Sequence, residues 1–315
     1  MSGILFIQEG TMKRILAGLL AIALPTSIFA AEGGLSNYVP AFYGDLALAT
    51  EPPDGLSLRN DVFYVSGDIG RSFRSGTIRA EVDATLLYNY LTVLYKPEWE
   101  LFGAPVAFGI TPAIGHADIE ASVQAGELAR AADDDKTGLG DTTLAAMLFG
   151  RRGKCHFSLS GYVVTPTGDY DVDDLANIGV NYWTFEVDTA VTYLNEETGQ
   201  DYSLVLGYGY NTENDDTDYQ SGDEIHADFV LNQFLTETLA VGINGYYYRQ
   251  ISGDSGGGAL LGSFKGEGAG IGLGGYYGRE IAGRDVFFVA KWVHDYHAEN
   301  RVKADYVYAS FMLSI

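Results

Sequence analysis

From residue 181 to 194 the chain reads NYWTFEVDTAVTYL. Tyr182, Thr184, Glu186, Asp188, Ala190 and Thr192 fall on one parity; Trp183, Phe185, Val187, Val191 and Tyr193 fall on the other, where only Thr189 is polar. A period of two belongs to an extended strand, whose side chains point alternately to opposite faces. The alternation returns at 155–165, where Cys155, Phe157, Leu159, Gly161 and Val163 oppose His156, Ser158, Ser160 and Tyr162. It returns again at 224–235, where Glu224, His226, Asp228 and Asn232 oppose Ile225, Ala227, Phe229, Leu231 and Leu235. A single such strand would fit a soluble sandwich. Many of them, each about ten residues long with aromatics near the ends, fit a transmembrane β-barrel that is apolar toward lipid and polar toward its lumen.

The pattern predicts strands at 59–68, 84–96, 104–122, 137–150, 154–166, 181–194, 200–212, 222–235, 238–251, 264–278, 284–296 and 301–315. That is about twelve antiparallel strands, an even number, as single-chain bacterial barrels have. Short links (97–103, 151–153, 195–199, 236–237, 279–283) alternate with long ones (69–83, 123–136, 167–180, 211–221, 252–265), and the last link, around 297–300, is modest. Short periplasmic turns and long external loops produce that alternation, which a soluble sandwich has no reason to keep.

Residues 12–30, MKRILAGLLAIALPTSIFA, have the basic start, apolar run and small-residue end of a secretory signal peptide, so 1–30 is expected to be removed and translation to begin at Met12. Residues 31–58 carry Pro40, Pro52 and Pro53 and no clean alternation, yet Tyr38, Phe42, Tyr43 and Leu46 make them too apolar for a free tail. We expect an irregular arm that plugs the barrel or lines its periplasmic mouth, with Tyr38, Pro40, Phe42 and Tyr43 as gate, followed by the barrel proper at 59–315. The location implied is the bacterial outer membrane.

The chain is 315 residues, 47% hydrophobic, with 40 Gly, 22 Tyr and 16 Phe, and its formal net charge is -23. So acidic a balance argues against nucleic acid as a partner, which needs clustered Lys and Arg. The one cysteine, Cys155, forms no internal disulfide and reads as a small lipid-facing residue. Acid runs in the long connections (Asp133–Asp135; Asp169, Asp171, Asp173 and Asp174; Asp215, Asp216 and Asp218) read as solvated surface or as cation sites facing lipopolysaccharide. DYDVDD at 169–174 lacks the sixth-position Gly and twelfth-position Glu of an EF-hand.

No nucleophile elbow, zinc-protease motif, phosphate loop or cysteine pair occurs, so neither enzyme nor cofactor is expected. His294, Asp295 and His297 at a strand rim read as surface polar groups before they read as a metal site. By parity His156 and His226 point inward, which disfavours a lipid-facing hydrolase. The candidate functional face is the lumen: Tyr162, Glu186, Asp188, Glu224, His226, Asp228, Asn244, Tyr246, Tyr248, Gln250 and Lys291. Rings there would stack on an aromatic solute, and acids would hold its hydroxyls weakly enough for release.

GLGD at 138–141, TPTGDYD at 165–171, NIGVNYWTFE at 177–186, NTENDDTDYQSGDEIH at 211–226 and GYYYRQISGDSG at 245–256 resemble, in order, the outer-membrane proteins of the MetA-pathway phenol-degradation family. The arm sequence GLSNYVPAFYGDLA is similar to the start of the mature members. The resemblance implies an outer-membrane barrel, encoded with genes for aromatic catabolism, that admits small hydrophobic or aromatic compounds; it implies no enzymatic activity. Such barrels end in an aromatic residue read by the assembly machinery, whereas this chain ends in Ile315, with Phe311 nearby. The expected partners are outer-membrane lipid, lipopolysaccharide, the assembly machinery and the solute. The alternative is a non-conducting structural or surface-interaction barrel whose acidic loops bind cations or lipopolysaccharide.

Overall fold

Twelve long strands run up and down in sequence order: β1 (Gly55–Phe73), β2 (Ile78–Lys96), β3 (Ala104–Ala125), β4 (Leu128–Arg152), β5 (Cys155–Thr165), β6 (Thr184–Asn195), β7 (Gln200–Asn211), β8 (Glu224–Phe234), β9 (Leu239–Gln250), β10 (Glu267–Ile281), β11 (Arg284–Glu299) and β12 (Lys303–Ser314). This computed structural model describes residues 36–42, 45–73, 78–125, 128–259, 262–281 and 283–315; the expected signal peptide and Tyr43 lie outside the described residues. Every strand pairs antiparallel with its sequence neighbours, and β1 pairs with β12 from Ser57 opposite Ser314 to Asp68 opposite Lys303. The ring is therefore closed, with no free edge to template another chain. Glu100–Leu101 forms an extra two-residue strand outside the ring, and Glu213–Asn214 pairs with Tyr219–Gln220 in the β7–β8 connection.

The parity that predicted the strands sorts their environments. On β6, Thr184, Glu186, Asp188 and Thr192 are buried inside while Phe185, Val187 and Val191 are exposed outside. The outer wall carries large apolar side chains all round, among them Leu91, Ile110, Leu159, Leu206, Ile243 and Leu273. On β7 the outward positions read Tyr202, Leu204, Leu206, Tyr208, Tyr210, aliphatic in the middle and aromatic at both ends. That is the profile of an apolar band between two interfacial girdles. Leu206 stands in mid-band, 51% exposed, so Leu206→Arg is expected to cost about 2–4 kcal/mol. Urea unfolding from lipid vesicles would read this as a lowered midpoint, and an unchanged midpoint would remove Leu206 from the lipid face.

Two expected loops are not loops. β1 and β2 extend to a tip between Phe73 and Ile78, and β3 and β4 to one between Ala125 and Leu128, so most of 69–83 and 123–136 is paired strand. Asp133, Asp134 and Asp135 accordingly sit on β4. Asp68, Asp83, Glu120 and Asp133 stand directly opposite one another across four adjacent strands and are exposed on the outer wall. Acids of these runs are partly tied down. Asp134 Oδ2 accepts the N–H groups of Leu175 and Ala176, Asp169 Oδ2 accepts that of Leu139, and Asp174 pairs with Lys136 at 2.8 Å.

Candidate functional site: a lumen closed by the arm

The arm runs inside the ring. Tyr38, Ala41 and Ala49 are buried, the first two in one cluster with Phe63, Val65, Tyr246, Tyr248, Tyr306 and Tyr308 of the wall. Ala41 and Ala47 hold left-handed backbone (φ 55° and 46°), a conformation that persists in a non-glycine residue only where surrounding contacts enforce it. Here they do. Ala47 N–H donates to Asp201 Oδ2 at 2.8 Å and Ala49 N–H to Thr192 Oγ1 at 3.0 Å. Lys291 Nζ donates to the carbonyls of Ala41 (3.0 Å) and Phe42 (3.1 Å), and the Tyr308 hydroxyl donates to the carbonyl of Pro40. Asn232 Nδ2 reaches the Asp45 carbonyl at 3.1 Å, and Asn37 Nδ2 reaches Thr184 Oγ1 at 2.5 Å.

The strongest tether is ionic. Asp45 bridges the Arg59 guanidinium and Lys291 Nζ, the latter at 3.0 Å, while Arg59 also binds Asp61 and Lys291 Nζ lies 4.5 Å from the centre of the Tyr308 ring. Burial alone would push the Asp45 carboxyl up, yet Arg59 and Lys291 hold it below the ordinary carboxylate value. Since its pKa is lower inside the barrel than in a released arm, the tether is fully present above the free-arm value of about 3.9 and is lost as pH falls through the depressed value. Bilayer conductance should thus stay constant from neutral pH to about pH 4 and rise only in stronger acid. Opening between pH 5 and 7 would contradict this role for Asp45.

Farther along, aromatic rings and acids converge. The Tyr38 ring stacks on Tyr248 (5.3 Å, 16°) and lies 4.5 Å from the His226 ring, and its hydroxyl donates to Asp228 Oδ1 at 2.9 Å. Burial first, then the Asp228 charge, pushes the Tyr38 phenol well above its ordinary value, so it remains a donor. His226 Nδ1 lies 2.8 Å from Asp228 Oδ2, and Tyr248 donates to Glu224 Oε2 at 2.6 Å. Arg301 covers the Tyr248 ring at 4.3 Å. The β5–β6 connection adds a second obstruction: Ala176 and Ile178 join the arm's cluster, and the Ile178 carbonyl accepts the Tyr88 hydroxyl at 3.0 Å.

Of the residues singled out from sequence, Glu186, Asp188, Glu224, His226, Asp228, Tyr246 and Tyr248 face the lumen around Tyr38, while Lys291 belongs to the Asp45 tether. Tyr162 stands opposite Glu186 on β5 and is half-buried; Asn244 and Gln250 are wholly buried on β9. Phe42 packs edge-on against Tyr90 (5.9 Å) beneath Arg59. His294, Asp295 and His297 are not brought together. Asp295 points inward to the hydroxyls of Tyr246 (2.5 Å) and Tyr306 (3.0 Å), whereas His294 pairs outside with Asp305 and His297 lies near Glu267. Sequence reasoning missed Asp45, Arg59, Asp61, Asp201 and Arg301, and read Asp295 as a surface group although it is wholly buried. Parity would have turned Arg59 and Asp61 inward, but the apolar Phe63 and Val65 on that same inward parity blur the alternation there.

A closed ring of antiparallel strands with an apolar outer belt, a polar lumen and its own N-terminal segment inside defines a plugged outer-membrane-type β-barrel. The chain belongs to the family described as "Putative MetA-pathway of phenol degradation", which matches residues 67–311. Among solved structures it is similar to an outer membrane channel from Pseudomonas putida F1, with a TM-score of 0.63, 16% identity, and coverage of 86% of this chain and 99% of that one. At that identity the likeness speaks for the fold. The transport unit of the autotransporter AIDA-I from Escherichia coli is a weaker likeness, with a TM-score of 0.44, 13% identity, and coverage of 87% and 93%. No curated protein matches the chain in sequence.

Proposed function

We propose that the protein is an outer-membrane channel for passive uptake of small hydrophobic or aromatic compounds, closed at rest by residues 36–49. The observation that carries this reading is the way the arm is held. It is fixed by a few ionic and hydrogen-bonded tethers to a lumen rich in tyrosine, rather than built into the wall as a strand. Tyr246, Tyr248, Tyr306 and Tyr308 would offer ring faces to an aromatic solute once Tyr38 swings away, and Asp228 and Asp295 would accept its hydroxyls. The family's description, which refers to phenol degradation, supports the solute class.

The test is uptake of radiolabelled phenol-like and alkyl-aromatic compounds into liposomes bearing refolded protein, with and without residues 35–49, against a charged sugar acid. Faster uptake of the aromatics, rising on deletion of the arm, is the expected result. No uptake by either form, from protein shown to be folded by heat-modifiable gel mobility, would overturn it. The row formed by Asp68, Asp83, Glu120 and Asp133 favours a second role, contact through divalent cations with lipopolysaccharide phosphates. Removing these four charges should then weaken lipopolysaccharide binding without altering uptake.

A further inference from the structure

We propose that Glu186, Asp188 and His226 form a binding site for a divalent transition-metal ion of the zinc type, inside the barrel beside the arm. Among the described residues, one ligand atom from each lies within 4.8 Å of the others, and all three side chains are buried. Glu186 Oε1 and Asp188 Oδ1 each stand 3.4 Å from His226 Nε2. That separation is long for a hydrogen bond, but it matches the edge of a coordination tetrahedron, roughly 3.3 Å for bonds of about 2.0–2.1 Å.

The backbone is shaped for this convergence. Glu186 and Asp188 on β6 and His226 on β8 are not on neighbouring strands; β7 runs between them and presents Gly209 and Gly207 at the same level. A methyl group on Gly207 would meet His226 Nε2 at 1.9 Å and Asp188 Oδ1 at 2.4 Å. The glycine therefore opens the notch in which donors from two strands meet. The far side of the imidazole is set as in metal-bound histidines, with Nδ1 2.8 Å from a carboxylate oxygen of Asp228, which is itself held by the Tyr38 hydroxyl.

A second, independent observation points to a cation. Asp188 is 3% exposed, yet neither of its carboxylate oxygens accepts a hydrogen bond. Glu224 Oε1, also buried, accepts none. Four carboxylates thus surround one imidazole, while the Arg301 guanidinium is stacked on the Tyr248 ring. Buried acids without matching donors are costly, and a divalent ion removes that cost while using the donors already aimed at it. One nitrogen with carboxylate oxygens in a small enclosed site suits zinc, manganese or iron(II) better than calcium, which takes six to eight oxygens.

The experiment refolds the full chain with Co(II) or Zn(II), removes loose metal by gel filtration, and measures bound metal by atomic emission. For cobalt it adds the visible spectrum and X-ray absorption at the metal edge. About one ion per chain is expected, with imidazole scattering in the X-ray absorption. Asp188→Asn and His226→Gln should each lose the ion, and Asp228→Asn should bind about 10–100-fold more weakly. Folded protein that binds no transition metal, or that binds only calcium, would overturn the site; the imidazole is then simply the counter-ion of the carboxylates. Equal stoichiometry in the Asp188→Asn and His226→Gln proteins would also overturn it. If those variants do not fold, cobalt bound to the unaltered chain without imidazole scattering excludes His226 as a ligand.

Discussion

Asp45→Asn should turn a closed barrel into a leaky one. The substitution keeps the shape of the side chain and removes the charge that Arg59 and Lys291 share. Arg59 retains Asp61, but Lys291 is 2% exposed and would keep only uncharged partners, the Tyr308 ring and the Ala41 and Phe42 carbonyls that belong to the arm itself. Removing one partner of a buried ion pair costs about 3–5 kcal/mol, because the remaining charge stays out of water. Withdrawal of the arm relieves that cost by letting water reach Lys291. The closed-to-open equilibrium should therefore move by about 10²–10⁴-fold toward open, seen as a rise in open probability in planar bilayers. A second variant, Lys291→Met, removes the stranded cation, and in the Asp45→Asn background it should restore much of the closure. If Asp45→Asn conducts no more than the unaltered protein, the arm is not held by this pair.

Barrel, strand number and lumen-facing parity were legible in the sequence because a barrel wall is one residue thick. With lipid on one face and a polar interior on the other, each strand must write its environment as a period of two, as β6 does through Thr184 to Thr192. Where that contrast fades, the signal fades. β1 to β4 continue past the apolar belt, and there the contrast is reversed: Ala80, Ala84, Ile119 and Ala121 are buried inside while Glu81, Asp83, Asp118 and Glu120 meet water outside, so no apolar outer face marks the strand. Residues 69–83 and 123–136 therefore read as loops. The tethers of the arm were illegible for another reason. Its apolar content indicated contact with the barrel, but its tethers join Asp45 to Lys291 and Tyr38 to Asp228, pairs separated by most of the chain. No local pattern encodes such pairs. The Leu175–Ile178 segment was hidden in the same way, since its small apolar residues become a plug only once β2 presents Tyr88. Gly207 and Gly209 carry no side-chain signal in the sequence, and their role as a notch is visible only after β6 and β8 are placed on either side of β7.

Tyr38→Ala is the companion to the ionic tether and should act on the other part of the arm. Loss of a buried ring in contact with Tyr248, Tyr246 and His226 should cost about 3–5 kcal/mol. Tyr38→Phe keeps the ring and removes only the hydroxyl that donates to Asp228, so it should cost about 1–3 kcal/mol. Uptake by liposomes should rank the three proteins accordingly, alanine above phenylalanine above tyrosine. The double variant Tyr38→Ala with Asp45→Asn then tells how the arm moves. If residues 36–49 withdraw as one body, both losses bear on a single equilibrium, and their effects on it should add within about 0.5 kcal/mol until the channel is fully open. If the two parts release separately, conduction is limited by whichever tether remains, and each single variant will conduct little while the double conducts fully. Equal uptake by Tyr38→Ala and the unaltered protein, alongside leak through Asp45→Asn, would place the constriction at the Asp45 tether alone and leave Tyr38 a packing residue.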